Sequence, residues 1–158
     1  MLMERSGIIS FGGKPMTLLG NPVTVGGTAP DFTVLANDLS PKTLADYQGK
    51  ALILSVVPSL DTGVCDLQTR FFNEDASALG DTVRILTLSC DLPFAQKRWC
   101  GQAGVTQVET LSDHYDLSFG LAYGLVIKEL RLLTRAILVV DKKGVITYAE
   151  IVPEVSHA

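Results

Sequence analysis

Two apolar runs, residues 51–57 and 83–89, place the strongest constraint on how this chain folds. Each run has the length and the apolar character of a buried strand. Between these two runs, residues 66–79 carry apolar side chains at helical spacing. Further along the chain, a short strand at 108–111 lies between two helical stretches, 94–103 and 117–123. Strands separated by helices predict an α/β fold in which helices cover a central mixed sheet.

Hairpins are predicted on both sides of this unit. Near the start, strands at residues 8–11 and 16–19 are joined by a loose turn, and a short strand follows at 32–35. Near the end, strands at 136–140 and 145–151 flank a turn. The sequence contains no repeats, low-complexity tracts or internal linkers, so the whole chain, 1–158, is expected to form a single domain.

Charge and cysteine content narrow the functional classes. A formal net charge of −4 argues against a general nucleic-acid or anionic-membrane surface. No apolar run approaches the roughly 20 residues of a membrane span, and the N-terminus lacks the basic and long apolar regions of a secretion signal. Three cysteines are too few for a disulfide scaffold. We therefore expect a cytoplasmic protein with reactive thiols and with neither a nucleic-acid nor a membrane partner.

Cys65 is the strongest candidate for a reactive group. It comes shortly after the apolar run 51–57 and just before the helical stretch 66–79, so its thiol is expected on the first turn of a helix. Free backbone N–H groups and the helix dipole favour a thiolate there. Thr62, three residues earlier, can hydrogen-bond the sulfur or an approaching oxygen, although helix capping explains this residue equally well. Pro58 ends the strand in either case, and its ring can shield the sulfur from water.

The other candidates have simpler explanations from the residues alone. Cys90 ends a buried strand and is expected to be structural, with a role as a disulfide partner as the lesser alternative. Arg135 begins a strand, where a surface salt-bridge partner is the expected role. His114 and His157 have no cysteine or acidic neighbours at metal-ligand spacing, and the chain lacks a C-x-x-C motif and a Gly-rich phosphate loop. No metal or other cofactor is therefore expected.

Several stretches of the chain together indicate a protein family more specifically than any one of them does alone. They read Pro58-Ser-Leu-Asp-Thr-Gly-Val-Cys65, Asp91-Leu-Pro-Phe-Ala-Gln96 with Arg98-Trp-Cys-Gly101, Arg135-Ala-Ile-Leu-Val-Val-Asp141 and Gly20-Asn-Pro-Val-Thr24. Together they resemble the signature stretches of the bacterial thiol peroxidases, which are atypical 2-Cys peroxiredoxins. The resemblance implies a thioredoxin-like fold with an N-terminal β-hairpin, and a peroxidase that works without metal, haem or selenium.

The resemblance also implies a role for each matching position. Cys65 matches the peroxidatic cysteine, which attacks a hydroperoxide and becomes a sulfenic acid. Thr62 and Arg135 match the residues that hold the thiolate and polarise the peroxide, and Pro58 matches the residue that shields the site. Cys100 matches the resolving cysteine, which forms an intramolecular disulfide that thioredoxin reduces. Since the two cysteines are expected on different helices, we predict that the turn around Cys65, the helix around Cys100 or both unwind in each cycle.

Further expectations concern the C-terminus, assembly and substrate. Proteins of this kind continue into a C-terminal helix, which this chain is expected to lack, and they commonly form homodimers. The implied substrate is a hydroperoxide, either an alkyl peroxide or hydrogen peroxide. One alternative is a redox-sensing or binding module whose Cys65 oxidises without efficient turnover. A general dithiol–disulfide oxidoreductase is disfavoured because the chain has no C-x-x-C motif.

Overall fold

The computed structural model describes residues 3–61, 82–103 and 108–156. In these ranges the strands are β1 (Glu4–Phe11), β2 (Lys14–Leu19), β3 (Thr33–Leu35), β4 (Pro41–Thr43), β5 (Ala51–Val56), β6 (Val83–Ser89), β7 (Glu109–Ser112), β8 (Val126–Ile127), β9 (Leu132–Leu133), β10 (Ala136–Val140) and β11 (Ile146–Ile151). They form a larger sheet in the order β11-β10-β5-β6-β7-β3-β4 and a smaller one in the order β1-β2-β8-β9.

Parallel strands form the centre of the larger sheet. β5 pairs with β6 and β6 with β7 in parallel, while β10 pairs antiparallel with the other edge of β5. Leu54, Val56, Leu86 and Leu88 are fully buried. Parallel strands covered on both faces read as continuous apolar runs, which is why β5 and β6 stand out in the sequence. The predicted α/β fold with a central mixed sheet is confirmed.

Helices follow the central strands at the predicted places. The described helices are a 3-10 helix (Leu44–Tyr47), α1 (Pro93–Ala103) and α2 (Ser118–Tyr123). α1 begins at a proline, whose fixed φ and missing N–H suit the first helical position. The helices predicted at 94–103 and 117–123 are thus confirmed. The helix predicted at 66–79 lies outside the described residues.

The N-terminal hairpin is longer and tighter than predicted. Phe11 pairs with Lys14 across a two-residue turn, in which Gly12 and Gly13 have φ values of 58° and 81°. Glycine adopts this left-handed region without a steric penalty, and tight hairpin turns require it. The prediction of a loose turn is therefore wrong, since Lys14 and Pro15 already belong to β2.

The chain beyond β11 returns along this hairpin. The N–H of Ser10 donates to the carbonyl of Pro153 at 2.8 Å, and the N–H of Val155 donates to the carbonyl of Ser10 at 2.9 Å. The side chain of Val155 is fully buried with Ile9 and Leu18. The two ends of the described chain are therefore held together through backbone bonds and a small apolar cluster.

The main core packs α2 against the larger sheet. The rings of Phe119 and Tyr123 stack with centroids 4.5 Å apart, and Phe32 meets Phe119 edge-on at 5.5 Å. All three rings are buried, so this aromatic cluster fixes α2 on the sheet. In the part of the chain that the structure describes, no helix has the length and apolar character needed to cross a membrane.

Candidate active site

Arg135 stands beside the end of β5, where the chain leaves the sheet. Ala136 pairs with Val56, the last residue of β5, and Arg135 directly precedes it. The side chain is only 2% exposed, and its Nε donates to the carbonyl of Val155 at 2.9 Å. The expectation of a surface salt-bridge partner is therefore wrong. A buried guanidinium offers several N–H donors in a fixed plane, which suits an anionic or polarised oxygen at this end of β5.

Most residues of the segment 57–60, which follows β5, are buried at the end of the larger sheet. Val57 and Leu60 are buried, Pro58 between them is buried as well, and the N–H of Val57 still donates to the carbonyl of Leu88 at 3.0 Å. The predicted end of the strand at Pro58 is confirmed to within one residue, because β5 ends at Val56. Thr62 and Cys65 lie outside the described residues, and their roles remain predictions.

Asp91 ties this segment to the start of α1. Its Oδ1 accepts a hydrogen bond from Ser59 Oγ at 2.7 Å, and its Oδ2 accepts from the N–H of Leu60 at 2.8 Å and from Ser89 Oγ at 2.8 Å. Ser112 Oγ donates to the Asp91 carbonyl at 2.5 Å. The carboxylate thus connects the end of β6 with the chain that leads to Cys65, and the backbone carbonyl of Asp91 adds the end of β7.

Cys100 is held inside the buried face of α1. Pro93 and Gln96 are buried, and Trp99 and Cys100 are half-buried, as helical spacing requires of one face. Trp99 packs against Val57 and Leu60, so this part of α1 lies beside the end of β5.

The sulfur of Cys100 is directed to β7, two strands away from β5 in the sheet. Its Sγ lies 3.4 Å from Thr110 Oγ1, and Thr110 Oγ1 donates to Asn37 Oδ1 at 3.0 Å. Since the single hydroxyl proton of Thr110 is given to Asn37, the thiol of Cys100 is the donor to Thr110. These residues border a polar cleft of about 490 Å³, which Arg84 and Glu109 also line. In this arrangement Cys100 is a hydrogen-bonded thiol away from Arg135.

Cys90 has the environment expected of a structural thiol. It packs against the main core, and burial, with a contribution from the charge of Asp113, raises the pKa of its thiol to about 12. A thiol with so high a pKa is a poor nucleophile near neutral pH. This environment supports the structural role predicted for Cys90.

The site contains polar residues that sequence reasoning missed. In the sequence Asp91 appeared only as the first residue of the stretch Asp91-Leu-Pro-Phe-Ala-Gln96, without a role of its own. Thr110 and Asn37 carried no signal at all, because it is the fold that brings Thr110 to Cys100 and Asn37 to Thr110. Within the three described ranges, no group of His, Cys, Asp and Glu side chains is arranged to hold a metal ion. What the described residues offer is a buried cationic donor, a helix-borne thiol and a carboxylate that links the segment after β5 to the end of β6.

Comparisons with known proteins define the class of this fold. The family model described as Redoxin matches residues 24–157. A solved peroxiredoxin-like protein from Aquifex aeolicus is 33% identical and superposes with a TM-score of 0.88 over 99% of this chain and 90% of that one. The thioredoxin-like fold with its mixed sheet, as expected of a peroxiredoxin, is therefore confirmed.

Closer relatives narrow the class further. A thiol peroxidase of Halalkalibacterium halodurans is 63% identical over 94% of this chain and 89% of its own length, and one of Bacillus subtilis is 60% identical with the same coverage. The chain belongs to the Redoxin family, and within it to the thiol peroxidases. The resemblance noted in the sequence is thereby confirmed.

Proposed function

We propose that this protein is a thiol-dependent peroxidase that reduces hydroperoxides with Cys65 as the attacking thiolate. The observation that carries the proposal is the buried guanidinium of Arg135 at the end of β5, the strand from which the chain runs to Cys65 through Pro58. A fixed cationic donor at this point is what an oxygen that gains negative charge requires. The relatives named thiol peroxidase support the same chemistry.

In the first step, the Cys65 thiolate attacks the terminal oxygen of the hydroperoxide. The S–O bond forms as the O–O bond breaks, the sulfur becomes a sulfenic acid and the alkoxide takes up a proton and leaves as an alcohol. Complete ionisation of an ordinary thiol accelerates its reactions at pH 7 by only about 30-fold. The larger part of the acceleration must come from orientation and from charge stabilisation on the leaving oxygen, which are the roles of Arg135 and Thr62. Pro58 keeps water from this site.

In the second step, the thiol of Cys100 attacks the sulfenic sulfur. A disulfide forms, and the hydroxyl leaves with the thiol proton as water. Disulfides need Cα atoms within about 7 Å, whereas the Cys100 sulfur is bound to Thr110 on β7 in the described arrangement. We therefore expect α1 to open around Cys100. Gly101 next to it is exposed, and a side chain at this position would point into open space, so this turn gains little from packing.

The proposal includes the partners. Thioredoxin, acting in the cytoplasm, supplies two thiols that reduce the disulfide by exchange and complete the cycle. A homodimer is proposed as the assembly state, and it is supported by exposed apolar side chains on adjoining segments of the surface. These are Leu92, Phe94 and Tyr115, which are 51%, 62% and 81% exposed.

The test is intact mass and non-reducing peptide mapping after one equivalent of tert-butyl hydroperoxide. The wild-type protein should lose two hydrogens and yield a peptide pair that links Cys65 to Cys100. Cys100→Ser should stop at a sulfenic acid on Cys65, and Cys90→Ser should still complete the disulfide. An unchanged Cys65 would refute the peroxidase. Oxidation of Cys65 that thioredoxin cannot reverse over many turnovers would favour a sensor.

A further inference from the structure

Glu154 fastens the C-terminal segment to the N-terminal hairpin. Its Oε1 accepts hydrogen bonds from Ser10 Oγ at 2.9 Å and from the N–H of Gly13 at 2.8 Å, and its Oε2 accepts from the N–H of Gly12 at 3.0 Å. Ser156 donates its N–H at 3.0 Å and its Oγ at 2.7 Å to Oε2. A single carboxylate therefore receives five donors from both ends of the described chain.

The five donors favour the charged form of the Glu154 side chain. Hydrogen bonds, first of all those from Ser156, hold the pKa of the Glu154 carboxyl well below its usual range. Glutamine has the same shape but carries two N–H donors in place of one oxygen. Whichever way that amide turned, its NH₂ would face at least one of the backbone N–H groups of Gly12, Gly13 and Ser156.

Val155, next to Glu154, carries the connection into the candidate active site. Its N–H donates to the carbonyl of Ser10 and its side chain is fully buried. The hydrogen bond and the packing together hold the Val155 backbone in place. Its carbonyl accepts the Nε of Arg135 at 2.9 Å. Because a guanidinium is planar, fixing Nε also sets the direction of the remaining N–H donors.

We propose that Glu154 is a positioning residue for Arg135, acting through the backbone of Val155. The inference rests on the proposed function, in which Arg135 stabilises charge on the leaving oxygen. The N-terminal hairpin thereby contributes to catalysis without touching the substrate. None of the bonds in this connection involves α1, so Glu154 should influence the attack by Cys65 and not the later attack by Cys100.

The experiment is stopped-flow fluorescence of the single tryptophan, Trp99, after mixing with tert-butyl hydroperoxide. In Glu154→Gln, the peroxide-dependent phase should slow by about threefold to tenfold, since a displacement of about 1 Å at a reacting group can cost up to about 100-fold. The peroxide-independent phase of disulfide formation should keep its wild-type rate. Equal slowing of both phases would show a general structural defect and overturn the proposal.

Glu129→Gln is the matched control. Glu129 also accepts a backbone N–H and a hydroxyl from the same hairpin, both from Thr17, at 2.8 and 2.9 Å. None of the described bonds leads from Glu129 to Arg135. Both phases should remain unchanged in this variant. If Glu154→Gln does not fold, Ser10→Ala removes one of the five donors and should give a smaller decrease of the first phase only.

A double-mutant cycle with Arg135→Lys separates positioning from stability. Lysine has no Nε–H and no planar group to orient, so Glu154→Gln should cause no further slowing in that background. If Glu154→Gln slowed the peroxide-dependent phase equally in the wild-type and the Arg135→Lys backgrounds, the proposal would be overturned. Reaction of the wild-type protein tests the peroxidase function separately. A reactive wild type with an unaffected Glu154→Gln variant refutes only the positioning role.

Discussion

Replacement of Thr110 by valine should speed up disulfide formation. In the described arrangement the thiol of Cys100 donates to Thr110 Oγ1 at 3.4 Å, and this bond exists only while α1 is folded. Valine keeps the branched shape that suits a strand but has no acceptor. Asn37 is half-buried, so water can replace the donor that it loses. The substitution therefore destabilises the folded position of Cys100 with little effect elsewhere.

The size of the effect follows from the strength of that bond. A neutral hydrogen bond contributes about 0.5–1.5 kcal/mol, and a thiol is a weak donor, so about 0.5–1 kcal/mol is expected. If opening of α1 precedes the attack, the population of the open helix rises by the same free energy. The rate of disulfide formation should then increase about twofold to fivefold, since 1.4 kcal/mol corresponds to about tenfold.

Trp99 provides the assay, because it is adjacent to Cys100 and packs on Val57 and Leu60. The slow, peroxide-independent fluorescence phase gives the rate of disulfide formation, and the fast phase should stay unchanged. Gly101→Ala is the opposing variant. Its new methyl group meets nothing within 4 Å, and alanine stabilises a helix interior by about 0.5–1 kcal/mol over glycine.

Gly101→Ala should therefore slow disulfide formation about twofold to fivefold, and the double variant with Thr110→Val should return to near the wild-type rate. If both single variants shift the slow phase in the same direction, opening of α1 does not control this step. The reasoning would also be refuted if Thr110→Val slowed disulfide formation. In that case Thr110 would assist the attack of Cys100 instead of retaining its thiol.

Two predictions concern stability. Burial, only partly opposed by backbone hydrogen bonds, raises the pKa of the Asp113 carboxyl to about 6, so the folded state binds this proton more tightly than the unfolded chain does. In urea titrations, the free energy of unfolding of the wild type relative to Asp113→Asn should rise by about 2–3 kcal/mol as the pH falls from about 7 to about 4; a constant difference would contradict this. In Gly120→Ala, the new methyl group would lie 2.5 Å from Val126 Cγ2 and 2.6 Å from Leu133 Cδ2. Overpacking of this kind costs about 1–3 kcal/mol, so thermal unfolding should occur at a lower temperature than in Gly101→Ala, and equal midpoints would refute the clash.

The sequence predicted those elements whose physical signal is local. β5 and β6 are buried on both faces, so they appear as continuous apolar runs, and α1 is marked by a proline at its start. β8 and β9 escaped prediction because two-residue strands have no period. They form only when tertiary contacts bring β8 to β2 and β9 to β8.

The same distinction applies to the candidate site. Pro58 was predicted from its position at the end of a strand, whereas Cys100 and Arg135 gained their roles only through the resemblance. No local pattern shows that a strand-initial arginine is buried. Glu154 bonds to the N–H of Gly13, far away in sequence, and Thr110 lies ten residues from Cys100 on a different element of the fold. A single sequence does not reveal such pairs, since the residues share neither a segment nor a period.

The described residues place the two demands of the proposed cycle in different parts of the fold. Charge stabilisation needs a donor that does not move, and Arg135 is buried at a sheet end with its Nε fixed by a backbone carbonyl. Disulfide formation needs a thiol that can leave its place, and Cys100 lies on a helix next to an exposed glycine, held by one long hydrogen bond. Because Asp91, two residues before α1, holds the segment after β5 to the end of β6, opening can be confined to the later turns of α1 while the sheet end keeps its geometry. The first step depends on a rigid site and the second on a helix that opens, so the rates of the two steps can be altered independently. Glu154→Gln should change only the rate of the first step, and Thr110→Val only that of the second.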